Sequence, residues 1–344
     1  MGVQPPPLQQ QIDRLRSAYE EVRRSAAMDD VTHKLSSVTS EITSLPDQIA
    51  GLRSQGYVFA SYLERKAEVL ASQWEQISDL VRQTVVREIA RVQEQLDILA
   101  DLWGKVEQQT MDRNRAILLT QIERAISSLS EEIKAAQKRI EAMYGDVPGN
   151  VSQTQQQIRQ IQQYLKLAQE AHVSWKPAER LFSAIEAKWL KGNKDTPEGI
   201  LYLTDQRLIF EQKEKVGGRF GFGGEMVQQE LWAVPVGAVS EIRPEDKGVF
   251  GGKDLVHLTL RSGDYAELSL EIKGGIDSKA YAHQLNRVLS GDIENERAVP
   301  VDEAQAEAIR QAPTICPTCG ATLPALLRGM TELTCTYCGT TVRI

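Results

Sequence analysis

Apolar positions in the first half of the chain recur at three- and four-residue steps. Leu8, Ile12, Leu15, Tyr19 and Val22 set a register that resumes at Val31, Leu35, Val38, Ile42 and Leu45. Steps averaging about 3.5 residues belong to a helix with one narrow buried seam. Pro46 follows, and because proline suits the first turn of a new helix, two helices are expected to meet there. A longer run leads from Leu70, Trp74, Ile77 and Val81 through Val85, Ile89, Val92, Leu96 and Leu99 to Trp103 and Val106. Its consecutive four-residue steps from Val81 to Ile89 form a stutter, which locally unwinds a left-handed supercoil. Past a polar patch around Met111, the cleanest seam runs Leu119, Ile122, Ile126, Leu129, Ile133, Ala136, Ile140, Met143. Gly104 and the polar patch are the points where the run is expected to bend or turn. Gly145, Pro148 and Gly149 interrupt the pattern, and a last helix carries Val151, Ile158, Ile161, Leu165 and Ala168.

At Pro177 the period drops to two and glycine becomes frequent. Strands are expected at 181–190, at two runs within 199–212, and at 229–234, 238–243, 255–261 and 265–271. Ser262-Gly263-Asp264 reads as a hairpin turn. The segment 277–289 reads as a helix capped by Asp277 or Ser278, with Tyr281, Leu285, Val288 and Leu289 on one face.

The end of the chain changes character again. All four cysteines sit there, as Cys316-x2-Cys319 and Cys335-x2-Cys338, each pair followed by glycine. That spacing suits four thiolates around one zinc ion. Leu323, Leu326, Leu327 and Leu333 are too few to hold thirty residues folded, so metal binding is expected to supply the folding free energy. Disulfides would need an oxidising compartment, and the N-terminus shows neither the basic nor the apolar region of a secretory signal. Four thiolates leave zinc no open coordination position, so the ion is expected to be structural, one per chain.

The expected organisation is a multidomain α+β chain. A helical coiled-coil region occupies 1–175, a sheet domain 176–293, a linker 294–313 and a cysteine module 314–344. Two segments carry resemblances. The string Gly199-Ile200-Leu201-Tyr202-Leu203-Thr204-Asp205-Gln206-Arg207-Leu208-Ile209-Phe210 resembles the second and third strands of GRAM and bacterial PH-like domains, commonly G-x-L-x-L-T-x-x-R-L-x-F. That resemblance implies a PH-like β-sandwich with a C-terminal helix over about a third of the chain. The leucines and Phe210 are then core, and Thr204 and Arg207 set the turn. The tail resembles zinc ribbons of the form C-P-x-C-G … C-x-Y-C-G.

Function is read from what these modules offer. PH-like domains often bind phosphoinositides through a basic loop between the first two strands, where this chain has Lys188, Lys191 and Lys194. Two glycine-rich loops add aromatic rings beside cations: Arg219, Phe220 and Phe222 in one, Lys247, Phe250 and Lys253 in the other. A ring that enters an acyl boundary while its cation stays with headgroups suits an anionic membrane surface. These two loops and the lysine loop are expected to share one rim. Alternatively, the rings fold back onto the sheet or pack against the helical rod.

Net charge is −7 without a basic stripe, which argues against a main role on DNA or RNA. His33 and His172 are placed on the helices, His257 on a strand and His283 on the closing helix, with no metal-ligand spacing. No nucleophile elbow, Walker motif or dinucleotide fingerprint is present. No small-molecule substrate is implied. The expectation is a cytoplasmic, non-enzymatic adaptor, peripheral at a membrane or engaging a protein through its sheet domain, and holding a protein partner with its ribbon. The helical seam needs a partner face, supplied by helices that fold back as hairpins, by another copy, or by both, and a homo-oligomer is expected. The alternatives are a transcription-related factor acting through the ribbon, and a membrane-remodelling assembly in the manner of phage-shock and ESCRT-III-like proteins.

Overall fold

The computed structural model describes residues 8–176, 178–192, 196–216, 225–247, 252–300, 313–323 and 332–343. Five helices come first: α1 (Leu8–Ala26), α2 (Asp29–Ser54), α3 (Tyr62–Gln108), α4 (Asp112–Tyr144) and α5 (Val147–Gln169). Seven strands follow: β1 (Leu181–Trp189), β2 (Glu198–Thr204), β3 (Arg207–Val216), β4 (Glu225–Pro235), β5 (Val239–Lys247), β6 (Lys253–Leu260) and β7 (Glu267–Ile272). Helix α6 (Ser278–Ser290) closes this region, and β8 (Glu332–Thr334) with β9 (Thr341–Arg343) lies in the tail. The chain divides into two compact units. One comprises Met1–Pro46 with Arg65–Gln155, and the other Asp47–Glu64 with Gln156–Ile344.

The first unit is a helical bundle. Its long helices α3 and α4 run antiparallel, with Gln95 bonded to Glu132 at 2.8 Å and Arg139 to Glu88 at 3.2 Å. The run α1–α2 lies parallel to α4, since Arg14 meets Glu123 and Lys34 meets Glu141. Tyr19 packs on Trp103 and Trp74 on Tyr144, with ring centroids 6.5 and 6.2 Å apart. The seam residues Leu119, Ile122, Ile126, Leu129, Ile133, Ala136 and Ile140 are all buried within the single chain. Of the alternatives open to the apolar seam, helices folding back supply its partner face in the same polypeptide.

Several local expectations shift. Pro46 lies inside α2 rather than between helices. A proline forfeits one helical hydrogen bond, and the helix continues past it to Ser54. The break comes instead at an elbow of residues 55–61, where Gly56 and Ala60 both take positive φ. Arg53 holds that elbow by donating to the carbonyls of Tyr57, Phe59 and Ala60 while pairing with Glu64 at 2.8 Å. Gly104 sits within the unbroken α3, and the polar patch at Gln109–Met111 is a true turn. The expected break before the last helix falls at Gly145 and Asp146, so Pro148 and Gly149 lie in the first turn of α5, and His172 lies beyond α5.

In the second unit the strands occur in the expected number and order, with several ends extended. They form one antiparallel sheet in the order β4-β3-β2-β1-β7-β6-β5. Alternating direction across that order makes both edge strands run the same way. Only Val236–Ala238, a single 3-10 turn, joins the end of β4 to the start of β5. The sheet must therefore coil until one edge's end meets the other's beginning. Amides of Val236 and Arg261 bond the carbonyls of Gln206 and Ala238 at that corner, both at 2.8 Å. The inner face carries Ile185, Trp189, Leu201, Leu203, Leu208, Phe210, Trp232, Val256, Leu258 and Leu270, all buried. Helix α6 is capped by Asp277, whose side chain accepts from the Ala280 amide, and it packs on β5, β6 and the 236–238 turn.

Gly199 is required where it stands. A Cβ there would lie 1.8 Å from the Glu211 carbonyl oxygen, so β2 and β3 could not approach as they do.

Candidate functional site

The tail builds two matching turns. In the first, the Gly320 amide bonds the Cys316 carbonyl and the Cys316 amide bonds the Ala321 carbonyl, at 2.9 and 2.8 Å. In the second, Gly339 and Cys335 repeat both bonds, with Thr340 in Ala321's place, at 2.9 Å each. Gly320 and Gly339 have φ of 73° and 70°, a left-handed conformation open to glycine. This explains the glycine after each cysteine pair.

The two turns bring the four sulfurs together. All ligand atoms of Cys316, Cys319, Cys335 and Cys338 lie within 4.8 Å of one another. Across the turns, Cys316 and Cys338 Sγ are 3.7 Å apart, and Cys319 and Cys335 Sγ 3.6 Å. Bonds of about 2.3 Å to a tetrahedral ion would set sulfurs about 3.8 Å apart. The donor set and spacing therefore fit a metal ion. Cys316 and Cys335 are buried with Leu323, Leu333 and Val342, and that is the entire core of the module among the described residues.

The electrostatics are those of crowded thiols. Hydrogen bonds from the Thr340 hydroxyl and amide bring Cys338 down to about 6. For Cys319 the Ala321 amide lowers the pKa, but Cys338, burial and the other thiols outweigh it and raise it to about 12. Four neighbouring thiolates repel one another unless a cation sits among them.

The residues expected to make a basic rim are placed differently. Lys188 is bonded to Glu198, and Lys191 Nζ lies 5.3 Å from the centre of the Trp189 ring. Lys253 pairs with Glu271 at 3.2 Å, and Lys273 pairs with the same carboxylate. Burial raises the Glu271 pKa, and the bonds from Lys273 and Lys253 outweigh it, so it lies below the usual carboxylate range. Lys188 and Glu271 are cross-strand partners, so the structure does bring Lys188 and Lys253 around one acid. Lys247 is the last residue of β5. Lys194, Arg219, Phe220, Phe222 and Phe250 lie outside the described residues, as do Leu326 and Leu327.

Most of the three loops expected to share one rim lies outside the described residues. Along the antiparallel ladder, the β1–β2 and β3–β4 connections leave at one end and the β5–β6 connection at the other. The connection that does share the first end is β6–β7. Beside the β5–β6 end, a groove of about 460 Å³ is lined by residues 252–254 and 271–277. Its carboxylates are already engaged: Asp254 accepts from the Ser278 amide at 3.0 Å, and Asp277 from Ala280 at 2.7 Å.

A buried cluster around the β2–β3 turn went unnoticed in the sequence. Thr204 Oγ1 accepts from the amides of Gln206 and Arg207, which sets the turn as expected. Arg207 also reaches Glu179, and Asp205 pairs with Arg297, 92 residues away, at 2.6 Å. Arg297 in turn lies 4.9 Å from the Phe59 ring of the α2–α3 elbow. The segment before β1 is strapped to the sheet by two amides, His172 to Glu211 on β3 and Ser174 to Glu230 on β4, while the Lys176 amide bonds Glu179 within the segment itself. No local pattern marks Glu179 or Arg297, since each acts through a contact distant in sequence.

No family model matches the chain, and no curated relative does. Solved structures include PH-domain proteins. A pleckstrin homology domain from Shewanella amazonensis SB2B aligns at 23% identity, covering 37% of this chain and 97% of that one, TM-score 0.26. A DUF1696-family protein with a pleckstrin-homology domain from Shewanella loihica PV-4 aligns at 20% identity over 37% of this chain and 92% of that one, TM-score 0.26. The DH/PH fragment of PDZRhoGEF, solved in complex with human RhoA, aligns at 12% identity over 82% of this chain and 95% of that one, TM-score 0.28. Among the described residues, no helix is long and apolar enough to cross a membrane.

Proposed function

We propose that this chain is a non-enzymatic modular adaptor whose tail is a zinc-held docking module. The observation that carries the reading is the four-sulfur cluster, all within 4.8 Å, on two matching turns. Zinc is the ion best suited to four thiolates in a reducing compartment, and a filled tetrahedron makes it a structural staple. Around it the module presents Tyr337, 82% exposed, and Ile315, 60% exposed. In this reading these exposed apolar side chains are where a protein partner docks on the module.

The coiled sheet with α6 is the second docking element, a PH-like or GRAM-like module in this reading. Engagement of Lys188 and Lys253 by carboxylates favours a protein over an anionic bilayer as its ligand. A capture experiment tests the adaptor role. Full-length protein and a form lacking 313–344 are used as bait, with zinc content measured and binding to neutral and anionic vesicles run alongside. Loss of the captured protein with the tail supports the reading. Equal capture by both forms, or protein free of zinc after chelator-free purification, rejects it.

A further inference from the structure

The two edges of the coiled sheet are treated unequally. β5 carries Pro244 within the strand, a register shift between Val239 and Glu241, and helix α6 packed against it. These are devices that stop a further strand from adding. β4, at the other edge, is 11 residues long, has no lysine and no proline before Pro235, and shifts register only beside Trp232. Among the described residues it pairs with β3 on one side and with no strand on the other. Met226 on this edge is 55% exposed.

The strand is also held in place. Gln228 donates to the Glu170 carbonyl and to Glu211, at 2.8 and 2.9 Å, and Glu230 accepts from the Ser174 amide. Its outer edge is thus a row of backbone donors and acceptors on a fixed support.

We infer that β4 pairs antiparallel with β4 of a second copy, joining two sheets across a twofold axis at Gln228. The sequence is self-complementary in that register. Gln228, an uncharged residue, faces its own counterpart, Met226 faces Glu230, Val227 faces Gln229, and Glu225 faces Leu231. No like charges oppose each other, as an isologous contact requires. A foreign strand would need to match this pattern, whereas a second copy carries it by construction. This places self-association on the sheet, independently of the helical seam and of the tail.

The test uses the full-length, metal-loaded chain. Sedimentation should give twice the monomer mass of 38.4 kDa. The pair Val227→Lys/Gln229→Lys places lysines against each other across the axis and should halve that mass, with far-UV circular dichroism and metal content unchanged. Hydrogen exchange of wild-type protein should slow at residues 225–231 as concentration rises. A wild-type monomer from micromolar to millimolar concentration overturns the inference. So does a dimer that survives the lysine pair, or exchange at 225–231 that ignores concentration.

Discussion

Arg207 and Glu179 form a two-point ion pair, Nε to Oε1 at 2.9 Å and Nη2 to Oε2 at 2.7 Å, with side chains 8% and 0% exposed. Thr204 Oγ1 lies 2.8 Å from the same carboxylate, and the Lys176 amide adds a further bond at 2.9 Å. The carboxylate is therefore surrounded by donors, and the guanidinium also reaches the Ser174 carbonyl at 2.8 Å. Removing one partner strands a charge in the interior. Arg207→Ala should destabilise the sheet unit by about 3–5 kcal/mol, read from urea unfolding.

The same pair sets a pH dependence. Burial raises the Glu179 pKa, and bonds from Arg207, the Lys176 amide and Thr204 outweigh it, so the folded pKa lies below the unfolded one. A depressed carboxylate contributes stability that is complete above its unfolded pKa and is lost as pH falls through its folded pKa. Wild-type protein should therefore lose its advantage over Glu179→Gln as pH drops from neutral into the acid range. A constant difference between the two unfolding curves at every pH would contradict this.

Gly199→Ala should lower the thermal midpoint of the sheet unit. The new methyl meets the Glu211 carbonyl at 1.8 Å, so β2 must move away from β3. Overpacking of this kind costs about 1–3 kcal/mol, and backbone on both sides leaves little room to yield. Differential scanning calorimetry of the two proteins decides it.

Metal removal should act locally. The tail's described core is five residues, two of them ligands, so chelation or Cys335→Ser should open residues 313–343 to proteolysis. The melting of the helices and the large sheet should stay within error of wild type. Cobalt substitution should show thiolate charge-transfer bands that Cys335→Ser weakens.

In the helical unit, Ile126 and Ile133 are 6% and 2% exposed. Replacing both by Asp puts two charges against apolar neighbours, and should cost well over about 4 kcal/mol with a visible loss of helicity. Because the seam is covered within one chain, the effect should not depend on protein concentration.

Much of this was legible from neighbouring residues alone. The seam from Leu119 to Ile140 named the buried face of α4, because a helix repeats its faces locally. Alternation named the strands, Asp277 named the cap of α6, and Cys-x2-Cys-Gly twice over named the four-sulfur cluster, since each knuckle is a local turn. Thr204 and Arg207 were readable as turn residues for the same reason. What covers each face was not local. The seam's partner lies in α1–α3, the carboxylate for Arg207 lies 28 residues upstream, and Asp205 reaches Arg297 across 92 residues. Lys188 and Lys253 looked like free cations until cross-strand register set Glu198 and Glu271 beside them. Helix continuation through Pro46 and the opposite exits of the β1–β2 and β5–β6 connections were likewise tertiary outcomes. Periodicity states which side of an element avoids water, and only packing states what it meets there.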